Sequence, residues 1–152
     1  MAGIHPEADY RTDTRRVIRG LLGLGITRFV DLTEEGELEG YDKLVRDDSR
    51  QMALHATHTR FAIPDMKTPD IGQMEDILKT IRSFIKEGHV VYVHCFAGLG
   101  RTGTVVGCYL IDNGVLRENI FDEIAGLRGR PDAPNESPIT DAQRQMVLDW
   151  RS

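Results

Sequence analysis

The sequence is short of the features that secreted, metal-binding or membrane-spanning chains depend on. Its 152 residues contain two cysteines, Cys95 and Cys108, which form neither a disulfide framework nor a metal-ligand spacing. That scarcity points to a reducing compartment, and a cytoplasmic location is expected. No apolar run approaches the roughly 18 residues of a membrane span, so no membrane span is expected. The opening Met-Ala-Gly-Ile-His-Pro-Glu has no apolar signal core. Cationic excess is missing as well: the formal net charge is −5, which argues against general nucleic-acid binding. There are no internal repeats, low-complexity tracts or linkers. With 40% hydrophobic residues, the chain suits one domain over 1–152 with an adequate core.

What is present is concentrated between residues 94 and 103, His-Cys-Phe-Ala-Gly-Leu-Gly-Arg-Thr-Gly. Residues 89–93, His-Val-Val-Tyr-Val, predict a strand buried on both faces of a sheet. From Thr102 onward the chain predicts a buried helix closed by Asn113-Gly114. The segment between them therefore joins a strand to a helix N-terminus. Gly98 and Gly100, free to take positive φ, would let the loop curl and aim its backbone N–H groups at one point, as an anion nest. The helix dipole adds positive potential there. Arg101 offers a planar fork to two phosphate oxygens. Cys95 sits at the bottom of this positive cup, so its thiolate is favoured and its pKa should fall below the free value of roughly 8.5. A nucleophile ionised at neutral pH would then face a bound phosphorus. Thr102 is placed to donate a hydrogen bond to the sulfur and ease its departure.

These residues resemble the signature H-C-x-x-G-x-x-R-[ST]-G of the cysteine-dependent protein tyrosine phosphatases. The Ala-Gly-Leu-Gly-Arg-Thr-Gly-Thr version is most similar to the compact dual-specificity branch. The resemblance implies an α/β fold, a single-domain, mostly parallel central sheet flanked by helices. It implies phosphate binding by Phe96, Ala97, Gly98, Leu99, Gly100 and Arg101, and a cysteinyl-phosphate intermediate with no metal or other cofactor. The expected partner is a phosphorylated protein or peptide.

Such chemistry also needs an acid to protonate the leaving oxygen. Asp65, in Phe61-Ala62-Ile63-Pro64-Asp65, resembles the family's acid loop, with Pro64 and Pro69 keeping the segment non-helical. Asp70 is the rival, although its position before Ile71 suits a helix N-cap. In the family, a glutamine near the start of a late helix positions the hydrolytic water; Gln143 matches that spacing and Gln145 is the alternative. His94 is read as ordering the loop by hydrogen bonding. An already ionised thiol needs no base. Other functions with the same signature remain open: a phosphoinositide, inositol phosphate or RNA 5′-phosphatase, and a non-catalytic phosphate-binding module. Phe96, Ala97 and Leu99 put no lysine in the loop, which weighs against highly phosphorylated ligands.

The rest of the chain reads as alternating α and β. A helix is predicted over residues 12–24, with Val17, Leu21 and Leu24 as its apolar face. That leaves little chain before it for a loop to deepen the pocket. A strand over 27–32, an acidic solvated turn over 34–39, a short helix over 41–46 and a β-rich segment over 54–62 follow. The clearest helix runs from 71 to 87, with Ile71, Met74, Leu78, Ile81 and Ile85 in a stripe. Two more helices are expected at 116–128 and 139–151, separated by a Pro-rich loop. The basic cluster Arg11, Arg15, Arg16 and Arg19 reads as the solvated side of the first helix. His55 and His58 suit sheet positions better than metal ligands. Cys108 lies about two turns into the loop's helix, roughly 9 Å beyond it, and reads as a core thiol.

Overall fold

The computed structural model describes residues 6–129 and 136–151, and describes the side chains of the first helix from Asp13 onward. The element order is α1 (Pro6–Gly23), β1 (Ile26–Asp31), α2 (Asp42–Gln51), β2 (Thr57–Arg60), α3 (Ile71–Lys86), β3 (Val90–His94), α4 (Gly100–Asp112), a 3-10 turn (Arg117–Asn119), α5 (Ile120–Leu127) and α6 (Asp141–Asp149). The three strands form a parallel sheet in the order β2-β1-β3. Parallel pairing requires a crossover between neighbours, and the helices provide it.

This is the expected α/β architecture, with corrections of detail. Strand β3 is an edge strand of the described sheet and is only partly buried, so the expectation that it is covered on both faces fails. The central strand β1 is the one that ends in a fully buried Val30-Asp31 pair. The β-rich segment 54–62 contributes only the four residues of β2. Helix α2 is longer than predicted, because Val45, Asp48 and Ser49 are buried against the rest of the molecule.

Helix α1 turns a different face to the core from the one predicted. Ile18 and Leu22 are buried and Leu21, from the predicted face, packs half-buried on the same cluster, whereas Val17 is 60% and Leu24 77% exposed. Arg15 from the basic cluster reaches across to the fully buried Asp48 of α2, Nε to Oδ2 at 2.9 Å, which fixes the helix in this rotation. Arg16 and Arg19 remain exposed, and the Arg11 side chain lies outside the described residues.

Two apolar clusters result. The smaller one packs Ile18 and Leu22 on Phe29, Tyr41, Val45 and Ala56 on the α1/α2 side of the sheet. The larger joins β1 with α3, α4, α5 and α6 through residues such as Val30, Met74, Leu78, Val105, Ile124, Val147 and Trp150. In α3 the buried stripe is Met74, Ile77, Leu78 and Ile81; Ile71 and Ile85 at its ends are exposed. Helix α4 lies against α6 through glycines. A Cβ at Gly107 would come within 2.8 Å of the Val147 methyls, and one at Gly103 within 2.1 Å of Ser137 Oγ. The absence of side chains there brings α6, and the segment before it, onto the N-terminal end of α4. The Pro-rich loop between α5 and α6 falls largely outside the described residues.

Candidate active site

All three parallel strands run toward the same edge of the sheet, and the loop 95–99 leaves that edge from β3 and enters α4 at Gly100. Gly98 has φ +70°, the left-handed conformation that lets the loop curl without strain. Gly100 does not share it. It opens α4 in a helical conformation, and its lack of a side chain serves a close approach instead: a Cβ there would stand 2.9 Å from both Nε2 and Oε1 of Gln143. The expectation of positive φ at Gly100 is thus corrected, while the need for glycine stands.

Cys95 lies at the base of this loop, buried but for a sliver of surface. Burial pushes its thiol pKa up. Against it act the Thr102 hydroxyl, the backbone N–H groups of Thr102 and Gly98, and the Arg101 charge, and their combined effect holds the thiol below its ordinary value. Thr102 Oγ1 is buried with no hydrogen-bond partner of its own, and its hydroxyl favours the Cys95 thiolate. Phe96, Ala97 and Gly98 form the exposed outer arc of the loop, and Leu99 is half-buried at the helix N-cap. The Leu99 carbonyl accepts from Ser137 Oγ at 2.7 Å, tying the loop to the segment before α6.

His94 orders the loop from behind. Its Nδ1 lies 3.1 Å from the Cys95 carbonyl oxygen, so this nitrogen carries the proton, and Nε2 accepts from the Tyr41 hydroxyl. Burial lowers the His94 pKa and so favours the neutral ring that this pattern needs. Behind it, Asp31 at the end of β1 is fully buried and charged. It accepts from Thr33 Oγ1 at 2.6 Å and from Arg60 Nη2 at 3.1 Å, with His58 Nε2 at 3.1 Å. Burial would raise its pKa, but the His58 and Thr33 hydrogen bonds outweigh burial and hold the carboxyl well below the usual carboxylate range. His58 is therefore a sheet residue paired with a carboxylate. His55 is exposed just before β2, and no group able to hold a metal ion occurs among the described residues.

Arg101 is almost completely buried. Its Nη1 donates to Glu37 Oε2 at 2.7 Å and to the Ile63 carbonyl at 2.9 Å, and its Nη2 donates to Glu37 Oε1. One edge of the guanidinium is thus engaged by protein, and the edge formed by Nε and the second Nη2 hydrogen is left to meet an anion. Asp65 also stands close, Oδ1 3.2 Å from Nη2, with its side chain 69% exposed. Sequence reasoning missed Glu37, which it placed in a solvated acidic turn. The only signal was an excess of carboxylates in a Gly-flanked loop.

Asp70 is the N-cap of α3, accepting from the Gln73 N–H at 2.8 Å, and takes no part in the cup. Gln143 is fully buried at the third position of α6, in a capping box with Thr140. Its Nε2 donates to the Lys67 carbonyl at 3.1 Å, so one side chain touches both the segment carrying Asp65 and the glycine that opens α4. Gln145 is exposed and bonded to Asp149. Cys108 is buried in the core, its thiol pushed up to about 12 by burial first.

A low-pKa thiol, a buried guanidinium and an exposed aspartate around one anion nest, at the strand edge of a parallel sheet, define the class of cysteine-dependent phosphatases with the protein tyrosine phosphatase fold. The family profile described as "Polymorphic toxin system, DSP-PTPase phosphatase" matches residues 8–115, and the chain belongs to that family. Among curated relatives, cyclin-dependent kinase inhibitor 3 of Rattus norvegicus is 28% identical over 123 residues, 80% of this chain and 58% of that protein. The dual specificity protein phosphatase CDC14B of Mus musculus is 38% identical over 90 residues, 57% of this chain and 17% of that protein. The chain therefore spans less than two thirds of these relatives' length. The crystal structure of Tk-PTP in its active form superposes with a TM-score of 0.70 at 26% identity, covering 91% of this chain and 87% of that one.

Proposed function

We propose that the chain hydrolyses phosphate monoesters on proteins in two steps. Cys95 Sγ attacks phosphorus in line, while Arg101 and the loop N–H groups hold the non-bridging oxygens and Asp65 gives its proton to the departing phenol or alcohol. Water then attacks the cysteinyl phosphate, losing its proton to Asp65, and the thiolate leaves with a hydrogen bond from Thr102. The observation that carries this reading is the convergence on one cup of a thiol with lowered pKa, a buried guanidinium fixed by Glu37, and an aspartate 3.2 Å from that guanidinium. Gln143 is proposed to hold the Asp65 segment and the loop in register for the second step. The nest and Arg101 supply the positive charge, and the mechanism calls for no metal.

Phosphotyrosine, phosphoserine and phosphothreonine peptides are the proposed substrates, with phosphotyrosine preferred because a phenol leaves more easily. A loop of Phe96, Ala97 and Leu99 without lysine supports this over a polyphosphorylated inositol. The whole chain, 1–152, is read as one catalytic domain, in a reducing, cytoplasmic setting that suits two free cysteines. The family's description names a polymorphic toxin system, and a toxic role for the phosphatase chemistry is part of this proposal.

The test is hydrolysis of p-nitrophenyl phosphate and of a phosphopeptide panel in the presence of a chelator. The parent chain should turn over both, and Cys95→Ser should bind phosphopeptide without turnover. Retained turnover in Cys95→Ser would refute the covalent route. Growth arrest on expression that persists in Cys95→Ser would separate toxicity from the chemistry.

A further inference from the structure

Helix α1 carries two apolar stripes offset by one residue, and only one of them is fully buried. Ile18 and Leu22 are buried; one position back, the exposed Val17 and the half-buried Leu21, which also packs on the smaller cluster, line an open groove. That groove has a volume of about 340 Å³ and runs between α1 and the edge strand β3, with Leu38, Tyr92 and Phe96 on its other walls and Asp13 at its rim. Cys95 and Phe96 of the loop also line it, so it adjoins the phosphate cup. From Asp13 to Leu21 it follows the helix for about 12 Å. The volume lies at the small end of ligand pockets, roughly 300–1,000 Å³, enough for a side chain and too little for a folded partner. Among the described residues no lysine or arginine lines it, so there a second phosphate or an acidic residue would meet Asp13 and apolar walls.

We propose that this groove receives a bulky apolar side chain flanking the phosphorylated residue of a protein substrate, and that Val17 and Leu21 determine this specificity. The proposal rests on the reading of the Cys95 loop as the phosphate site. Helix α1 would then wall the site on one side and present an apolar face to substrate. Val17, 60% exposed, and Phe96, 68% exposed, are the apolar walls such a side chain would cover.

Binding to the Cys95→Ser variant tests this without depending on turnover. Fluorescence polarisation would compare phosphotyrosine peptides carrying Leu, Ser or Asp at the residues flanking the phosphotyrosine. The Leu peptide should bind at least about tenfold more tightly than the Ser peptide, in keeping with burial of one aliphatic side chain, and the Asp peptide should be weakest. Val17→Lys, placed on the solvent-facing stripe, and Leu21→Ser, deeper in the groove, should each bring Leu and Ser peptides to within about twofold. In the enzyme with Cys95 intact, Val17→Lys should leave hydrolysis of p-nitrophenyl phosphate unchanged, because that substrate has no flanking residue. Equal affinities across the series, or a Leu preference that survives both substitutions, would overturn the proposal. A Leu preference in a chain that fails to hydrolyse p-nitrophenyl phosphate would uphold the groove and refute the enzymatic reading.

Discussion

Glu37 holds Arg101 by both oxygens, Oε2 lying 2.7 Å from Nη1 and Oε1 bonded to Nη2. The pair joins residues 64 positions apart and fixes which edge of the guanidinium faces the anion. The pairing also raises the Arg101 pKa and lowers that of Glu37, each through the hydrogen bond to the other as the first cause. Glu37→Gln keeps one acceptor and loses the charge. A charge-assisted hydrogen bond contributes about 1.5–3 kcal/mol, so kcat/KM and the inhibition constant for phosphate should each worsen roughly ten- to hundredfold. Glu37→Asp should fall between. Steady-state rates with phosphate as competitive inhibitor check this, and unchanged constants would make the pair a bystander.

The thiol prediction follows from opposed surroundings of the two cysteines. Cys95 is held below its ordinary pKa, whereas Cys108 is pushed up to about 12. Iodoacetamide at pH 7 should modify Cys95 and spare Cys108, with a rate that rises to a plateau below the free-thiol pKa of roughly 8.5. Thr102→Ala removes the hydroxyl aimed at the sulfur and should move that profile to higher pH. Peptide mapping reads the site and the pH series reads the shift. Modification of Cys108 first would contradict the burial assigned to it.

What the sequence allowed and what it concealed divides along physical lines. The loop from His94 to Gly103 was legible because its nest, nucleophile and arginine are contiguous, and a strand before and a helix after it fix its geometry. Asp70 could be set aside from Asp65 because an N-cap is also a local feature. Glu37 was concealed because a carboxylate among Glu34, Glu35 and Glu39 looks like solvated surface until a chain reversal brings it to Arg101. The face of α1 was misassigned for a different reason. Val17, Leu21 and Leu24 keep helical spacing as well as Ile18 and Leu22 do, and the rotation is chosen by long-range contacts, packing on Phe29 and the Arg15–Asp48 pair 33 residues apart. The exposure of β3 likewise depends on strand order, which alternation of apolar residues does not encode.

Asp31 should make the fold sensitive to acid. Its carboxyl is held below the usual range in the folded chain, so the stabilisation is complete above the unfolded value of about 3.9 and is lost as pH falls toward the lower folded value. Asp31→Asn leaves Arg60 and His58 without their charged partner in a buried site. It should lower stability at pH 7 by about 3 kcal/mol, with a smaller difference from the parent at pH 3. Urea unfolding at the two pH values measures both quantities, and an equal loss at both would show that packing, not charge, explains the effect.

The acid role of Asp65 is separable from its charge beside Arg101. Asp65→Asn removes the transferable proton while keeping the side-chain shape. Aryl phosphates with poor leaving groups should slow by about 10²–10⁴-fold, and those with good leaving groups far less, because only the former need protonation. Asp70→Asn should instead cost α3 its cap, about 1 kcal/mol in stability, with no dependence on leaving group. A plot of log kcat/KM against leaving-group pKa gives the answer through its slope; parallel lines for parent and Asp65→Asn would remove Asp65 from proton transfer.

Gly100 and Gln143 are coupled by space, and their coupling is open to measurement. A methyl at Gly100 would stand 2.9 Å from both polar atoms of the Gln143 amide, too close to coexist with that rotamer. Gly100→Ala should therefore displace Gln143 from the Lys67 carbonyl and disturb the segment that carries Asp65. If Gln143 acts by holding that segment and the water of the second step, Gly100→Ala and Gln143→Ala should each slow breakdown of the cysteinyl phosphate more than its formation. A pre-steady-state burst of p-nitrophenol, followed by a slower steady rate, would report that imbalance. The double variant should then be little worse than Gly100→Ala alone, since the methyl has already removed what Gln143 supplies. Additive losses, or a burst amplitude unchanged in both single variants, would assign Gln143 to packing of α6 against α4 and leave the hydrolytic water to Asp65.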